Sequence, residues 1–154
     1  MSLFVECKPD ETLAFALGVA RRDIDHALGR ARVCAQLSRH KGVTGMVDED
    51  PGTVTPTYLK LLTEQRWEHG IRVLLDETRK NRMIVLSPRL EEWLVQTTKS
   101  AGLKMTDFGF ESDNGLQLHA EINERLESLQ RLIEALLTAK SPRLLRLQVA
   151  LKQN

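Results

Sequence analysis

Short apolar runs alternate with longer amphipathic segments along the first two thirds of the chain. The continuous runs predict four buried strands, at Leu3–Val5, Val43–Val47, Ile71–Leu75 and Arg82–Leu86. Most of the segments between these runs carry apolar residues at helical spacing. The resulting order, β-α-β-α-β-β-α, predicts an α/β fold in which helices flank a mostly parallel sheet.

Start and stop signals set the bounds of the predicted helices. Pro9 opens the first helix, and the second is predicted over Ile24–His40. Thr55-Pro56 begins a third helix by N-cap chemistry, and Gly70 ends it. The apolar face predicted for this third helix comprises Tyr58, Leu59, Leu62 and Trp67. Ser87-Pro88 begins a fourth helix in the same way.

The last third of the chain is predicted to be helical. Apolar residues recur at helical spacing from Ile122 to Leu137, and Ser141-Pro142 restarts a final helix. We therefore predict a single structural domain: residues 1–110 form the α/β unit, and residues 111–154 form a C-terminal helical hairpin packed on it. The same C-terminal helices are the predicted contact of a homodimer.

Composition narrows the classes of function. The chain has 154 residues, of which 42% are hydrophobic and 28% charged, which suits one globular domain with a core. The net charge of +1 creates no global basic field. The two cysteines have no metal-binding spacing and indicate a reduced, cytoplasmic protein. No run approaches the ~20 apolar residues of a membrane span, so no membrane partner is expected.

Carboxylates follow two of the predicted strands. Glu6 comes directly after Leu3–Val5, and Asp48 and Asp50 follow the second apolar run. In open parallel sheets the functional crevice lies at the carboxyl ends of the strands, and clustered carboxylates repel one another unless a cation lies between them. We therefore expect Glu6, Asp48 and Asp50 to share one Mg²⁺ or Mn²⁺ ion. The alternative is that Asp48 and Asp50 are turn formers.

Backbone geometry refines this prediction. In an extended strand, residues two apart point to the same side. Asp48 and Asp50 are then expected to face the same way, whereas Glu49 faces the opposite way and is solvated.

The two acidic segments resemble a known pair of motifs. Val5-Glu6-Cys7-Lys8-Pro9-Asp10 resembles the first motif of TOPRIM domains, Val-Glu-Gly-Lys-x-Asp, with Cys7 in place of the usual glycine. Val47-Asp48-Glu49-Asp50-Pro51-Gly52 resembles the second motif, an Asp-x-Asp pair after a later strand. The resemblance extends to about Leu86. TOPRIM domains occur in topoisomerases, bacterial primases, OLD-family nucleases and small RNA-maturation nucleases.

The resemblance implies a function. Glu6 would be the general acid or base and a bridging ligand, and Asp48 and Asp50 would bind Mg²⁺. The protein would then be a Mg²⁺-dependent phosphodiester hydrolase or phosphoryl-transfer protein acting on nucleic acid. Two other classes stay open: a non-catalytic nucleic-acid- or nucleotide-binding or regulatory protein with the same fold, and an oligomeric scaffold in which the C-terminal helices are the working part.

Further residues near the predicted site are candidates. Glu91 begins the helix after the fourth strand, at the same edge of the sheet, although the helix dipole alone favours acids there. Lys8 could neutralise a phosphate or be a solvated loop residue, and Asp10 closes the first motif.

A basic segment precedes the second acidic motif. Six basic residues against two acids lie between Arg21 and Lys41, a local charge of +4. His26, Arg30 and Arg32 are predicted to share one helical face and to contact phosphate. The alternative is a solvated surface cluster.

Overall fold

Six strands form one sheet in the computed structural model of the chain, which describes residues 2–153. In chain order they are β1 Leu3–Val5, β2 Ile24–His26, β3 Thr44–Asp48, β4 Thr63–Glu68, β5 Ile71–Asp76 and β6 Asn81–Leu86. Their spatial order is β2-β1-β3-β6-β5-β4. The first four strands of that order run parallel, and β5 and β4 add an antiparallel edge. The predicted α/β fold with a mostly parallel sheet is confirmed.

Within residues 2–153, seven α-helices connect and cover the strands. They are α1 Lys8–Ala16, α2 Arg30–Arg39, α3 Thr57–Lys60, α4 Leu90–Ser100, α5 Gly115–Glu124, α6 Leu126–Thr138 and α7 Pro142–Lys152. Two 3₁₀ turns, Arg21–Asp23 and Met105–Phe108, complete the described elements.

The first strand is apolar throughout because both faces of the sheet are covered at β1. In β1, Leu3 and Val5 join the core on one face, whereas Phe4 joins the core on the other face. The first core is shared with α1 and α4–α7, and the second with α2 and α3. A strand buried on both faces has no polar side to alternate with, which explains the continuous apolar runs.

The predicted helix over Ile24–His40 is wrong in its first part. Ile24–His26 is the short strand β2, which pairs in parallel with β1, and helix α2 begins only at Arg30. Between them, Leu28 and Gly29 have left-handed φ angles of 60° and 119°. A helix cannot continue through such residues, and glycine adopts this conformation without a steric cost.

The third predicted helix is also mostly wrong. Only Thr57–Lys60 is helical, and the chain then forms the edge strand β4, which pairs with β5. His69 and Gly70, with φ angles of 55° and 71°, make the two-residue hairpin turn. Trp67, assigned above to an apolar helical face, is 62% exposed on β4. All six residues of β4 are exposed, so the strand lacks the apolar pattern that would reveal it.

The C-terminal region forms three helices, where a hairpin was predicted. The helical periodicity is interrupted at Arg125, whose φ and ψ of −126° and 58° separate α5 from α6. Side chains from α5, α6 and α7 are buried in the same core as one face of the sheet. Leu145 and Val149 of α7 are partly exposed, and the homodimer through these helices stays a prediction. Within residues 2–153 no helix is long and apolar enough to cross a membrane.

Candidate functional site

Three helices begin at the edge of the sheet where the parallel strands end. Helix α1 follows β1, α2 follows β2, and α4 follows β6. The N-terminus of a helix presents unpaired backbone N–H groups and the positive end of the helix dipole, so this edge favours carboxylates.

Glu6 and Asp48 connect the two central strand ends. The backbone N–H of Asp48 donates a hydrogen bond to Glu6 Oε2 at 2.8 Å. Asp48 Oδ1 in turn accepts a hydrogen bond of 3.0 Å from the backbone N–H of Leu90, the first residue of α4. The end of β1, the end of β3 and the start of α4 are therefore joined through carboxylate oxygens.

Asp10 is buried beside these residues, with 3% of its surface exposed. Its Oδ2 accepts hydrogen bonds from the backbone N–H of Cys7 at 3.2 Å and from Cys7 Sγ at 3.1 Å. Cys7 has an extended backbone, with a φ of −152°, which any residue adopts. Cys7 therefore takes the position at which the TOPRIM motif has glycine, and it does so without strain in the backbone.

Glu91 is buried and has a partner that the sequence does not reveal. It is 5% exposed, and its Oε1 lies 2.6 Å from Nδ1 of His119 on α5. These residues are 28 positions apart and lie on different helices. No spacing rule links these two positions, and nothing in the sequence singles out His119 as the partner of Glu91.

The carboxyl groups of Glu6, Asp10, Asp48 and Glu91 influence one another electrostatically, and we call these four residues the acid cluster. Burial is the largest cause of the raised pKa of Asp48, about 9, and of Asp10, about 7. Repulsion from the neighbouring carboxylates, Glu91 included, raises both pKa values further. Burial also raises the pKa of Glu6, although the Asp48 N–H and the nearby charge of Arg30 oppose this.

The extended geometry from which Asp48 and Asp50 are predicted to face the same way does not hold at Asp50. Asp50 has a left-handed φ of 51°, and extended geometry ends at Asp48. Its Oδ1 accepts a hydrogen bond of 2.9 Å from Arg89 Nε. Glu49 is not simply solvated, because its Oε2 accepts a hydrogen bond of 2.9 Å from Ser87 Oγ. That Asp50 shares an ion with Glu6 and Asp48 stays a prediction.

The basic residues do not share one helical face, contrary to the prediction. His26 lies on β2, where its Nε2 pairs with Glu11, and only Arg30 and Arg32 lie on α2. The guanidinium of Arg30 donates to the backbone oxygens of Glu49 and Val54 and to Thr53 Oγ1, the last at 2.7 Å.

Arg32 is exposed on α2, and Lys8 is exposed at the first position of α1. Phosphate contacts by His26, Arg30, Arg32 and Lys8 stay predictions.

The donor set of the acid cluster suits a hard cation. Carboxylate oxygens are the protein ligands that Mg²⁺ and Mn²⁺ favour. Among residues 2–153, however, no group of three or more His, Cys, Asp or Glu side chains is placed so that it could hold a metal ion without rearrangement. The oxygens of Glu6 and Asp48 that accept backbone hydrogen bonds would have to share that role with an ion.

Comparisons with known proteins do not identify a family for this chain. No model of a protein family matches the chain, and neither a curated protein nor a solved structure is significantly similar to it. The acid cluster and its surroundings are therefore the basis for assigning a function.

Proposed function

We propose that this protein is a Mg²⁺- or Mn²⁺-dependent phosphodiester hydrolase or phosphoryl-transfer enzyme of TOPRIM-like type that acts on nucleic acid. One observation carries the proposal: the carboxyl groups of Glu6, Asp10 and Asp48 lie at the carboxyl edge of parallel strands, and burial and repulsion from neighbouring carboxylates disfavour the charged forms of these three groups. Among the described residues, no Lys or Arg forms an ion pair with Glu6, Asp10 or Asp48. A divalent cation would supply the missing positive charge.

Glu6 and Asp48 are the central residues in this function. Asp48, at the end of β3, would hold the ion together with Glu6 and Asp50. The ion, when bound, neutralises charge on the phosphate and lowers the pKa of an attacking water. A general acid or base works best when its pKa lies near the working pH, and the raised pKa of Glu6 shifts it in that direction.

Basic side chains at the same edge of the sheet would contact the phosphates of the nucleic-acid backbone. Arg32 is exposed in the first turn of α2, and Lys8 is exposed at the start of α1. Phosphate contacts of this kind release counterions and make binding depend on salt. Because the net charge of the chain is only +1, binding of nucleic acid would depend on such local basic side chains.

A metal titration combined with a cleavage assay tests the proposal. Calorimetry with Mn²⁺ should show binding to the wild type, and single- and double-stranded DNA and RNA should be cleaved with Mg²⁺ or Mn²⁺ but not with chelator. Asp48→Asn keeps the size of the side chain and removes its charge, so it distinguishes the protein's activity from a contaminating nuclease. No Mn²⁺ binding together with no cleavage would contradict the proposal.

A second candidate function is a non-catalytic nucleic-acid- or nucleotide-binding or regulatory protein. The ion pair between Arg89 and Asp50 favours this second function, because it engages the carboxylate of one of the three predicted metal ligands. This function predicts salt-dependent binding of nucleic acid that is insensitive to chelator and to Asp48→Asn.

A further inference from the structure

The antiparallel side of the sheet ends in a strand with a free edge. Strand β4 is the last strand in the spatial order, and among the described residues it pairs only with β5. All of its residues are exposed, so the strand is accessible from solvent. A free edge presents unpaired backbone N–H and C=O groups, which can pair with another strand.

The regular part of this edge is the segment Arg66–Glu68. The register of β4 against β5 shifts just before Arg66, and beyond that point the two strands pair regularly as far as the turn. In an antiparallel pair, successive residues direct their backbone groups alternately toward the partner strand and away from it. Glu68 closes the two-residue turn and bonds toward β5, so the N–H and C=O of Trp67 point outward.

The side chains of this segment divide between the two faces of the sheet. Arg66 and Glu68 lie opposite residues of β5 that belong to the core shared with α4–α7, and Arg66 Nη1 is 3.8 Å from Glu68 Oε1. Trp67 lies on the other face, where the guanidinium of Arg72 is 5.1 Å from its ring centroid. One face of the edge therefore carries a cation and an anion, and the other carries an exposed aromatic ring.

The segment is complementary to itself. If two copies pair in antiparallel register around a two-fold axis at Trp67, each Arg66 lies opposite Glu68 of the other copy, and the two Trp67 residues lie opposite each other. The outward N–H and C=O of each Trp67 then bond those of the other. Opposite charges and aromatic rings placed directly across two strands are favourable, whereas like charges are unfavourable.

We propose that β4 is a homodimer interface, in which the segment Arg66–Glu68 pairs antiparallel with the same segment of a second copy and joins the two sheets. Its self-complementarity identifies a second copy as the occupant, because one two-fold axis satisfies both charged pairs at once. The paired segment is short, so the dimer should form at raised concentration, and the dilute chain should be a monomer. This inference is independent of the proposed metal-dependent function.

Charge reversals test the proposed register. Sedimentation equilibrium of the full chain, without metal or nucleic acid, measures the dissociation constant of the dimer. Arg66→Glu places two like-charged pairs across the axis, and so does Glu68→Arg, so each variant alone should weaken the dimer by about tenfold. An equimolar mixture of the two variants restores opposite charges in both pairs and should dimerise about as tightly as the wild type.

Glu64→Arg is the matched control for these reversals. Glu64 lies on the same strand but before the register shift, so it faces no charge of the second copy in the proposed pairing. This variant alone should dimerise like the wild type. Its mixed dimer with Arg66→Glu, identified by native mass spectrometry, should stay weaker than the wild-type dimer because one like-charged pair remains. Thermal melting of each variant shows whether it is folded.

Three results would overturn the inference. A wild type that stays monomeric at every concentration has no such interface. A mixture of Arg66→Glu and Glu68→Arg that associates no better than either variant alone would rule out the register. Dimers that survive both reversals but dissociate in Val149→Glu would place the interface on the exposed side of α7, as predicted from the C-terminal helices.

Discussion

Carboxylates lie both at the carboxyl edge of the parallel strands and on the β4–β5 hairpin, but they meet different partners. On the hairpin, Glu64 pairs with Arg72 at 2.7 Å, and Glu68 pairs with Arg146. All six residues of β4 are exposed, so the carboxylates of Glu64 and Glu68 remain in contact with water. In the acid cluster, Glu6 and Asp48 accept hydrogen bonds from backbone N–H groups and are partly withdrawn from solvent.

The difference shows which acids carry information about function. Exposed ion pairs contribute little to stability, about 0 to 1 kcal/mol, and they occur on most protein surfaces. Buried carboxyl groups that repel one another cost free energy unless a proton or cation relieves them, and such groups concentrate at functional sites. The hairpin is therefore the natural internal control for the acid cluster.

The largest expected effect comes from exchanging one carboxylate for an amide in each region. Asp48→Asn should remove Mn²⁺ binding and lower any cleavage rate by about a thousandfold, because the ion contributes several kcal/mol to the transition state. Glu64→Gln makes the same chemical change on the hairpin and should alter neither quantity. The measurements are calorimetry and a cleavage time course. Equal losses in both variants would break the comparison between the two regions.

The second prediction concerns how the stability of the metal-free protein depends on pH. The folded-state pKa values of Asp10 and Asp48, about 7 and about 9, lie above the value of about 3.9 for an unfolded Asp. Folding then favours the protonated forms, so their contribution is fully present below pH ~3.9 and is lost as pH rises through 7 and 9. The free energy of unfolding should fall by on the order of a few kcal/mol between pH 5 and pH 9.

Urea denaturation at several pH values measures this dependence. Asp48→Asn should flatten the slope, because an amide does not titrate, and Mn²⁺ should restore stability at pH 9 in the wild type. Glu64→Gln should leave the slope unchanged. A wild-type stability that rises from pH 5 to pH 9 would contradict the assigned pKa shifts.

The third prediction separates the two arginines of α2. Arg30 holds the loop after β3 through Glu49, Thr53 and Val54, whereas Arg32 is exposed. Arg30→Ala should destabilise the protein by about 1–2 kcal/mol and speed hydrogen exchange in residues 49–54, because it removes charge-assisted hydrogen bonds. Both Arg30→Ala and Arg32→Ala should weaken nucleic-acid binding and flatten its salt dependence. Unchanged exchange in Arg30→Ala would show that the loop is held by other contacts.

The sequence predicts the four buried strands of the sheet well and the rest of the structure less well, for physical reasons. Strands β1, β3, β5 and β6 are buried, so burial shows directly as apolar runs. Strand β2 is hidden because only Ile24 of its three residues is buried, so it forms no apolar run. Strand β4 is also hidden, because both of its faces are exposed.

The candidate site divides in the same way. Glu6 and Asp48 were placed at one edge because they follow strands that the apolar runs reveal. Extended backbone is the wrong expectation at Asp50, because a left-handed φ of 51° cannot be read from an Asp in the sequence. The contact of Glu91 with His119 depends on how α5 packs against α4, which is a tertiary event without a local signal.

The smallest expected effect tests whether the hairpin is functionally silent. Trp67 is 62% exposed, and the guanidinium of Arg72 lies 5.1 Å from its ring centroid. Trp67→Ala should lower the free energy of unfolding by less than about 1 kcal/mol, since an exposed cation–π contact contributes about 0.5–1 kcal/mol. Trp93→Ala is the matched contrast: Trp93 is fully buried, and its loss should cost about 3–5 kcal/mol. Urea denaturation measures both, and Mn²⁺ affinity should be the same in Trp67→Ala as in the wild type.

If Trp67→Ala instead weakened nucleic-acid binding several-fold, an exposed aromatic on β4 would be stacking on bases. The substrate surface would then extend from the acid cluster to the hairpin, and the hairpin would no longer serve as a control.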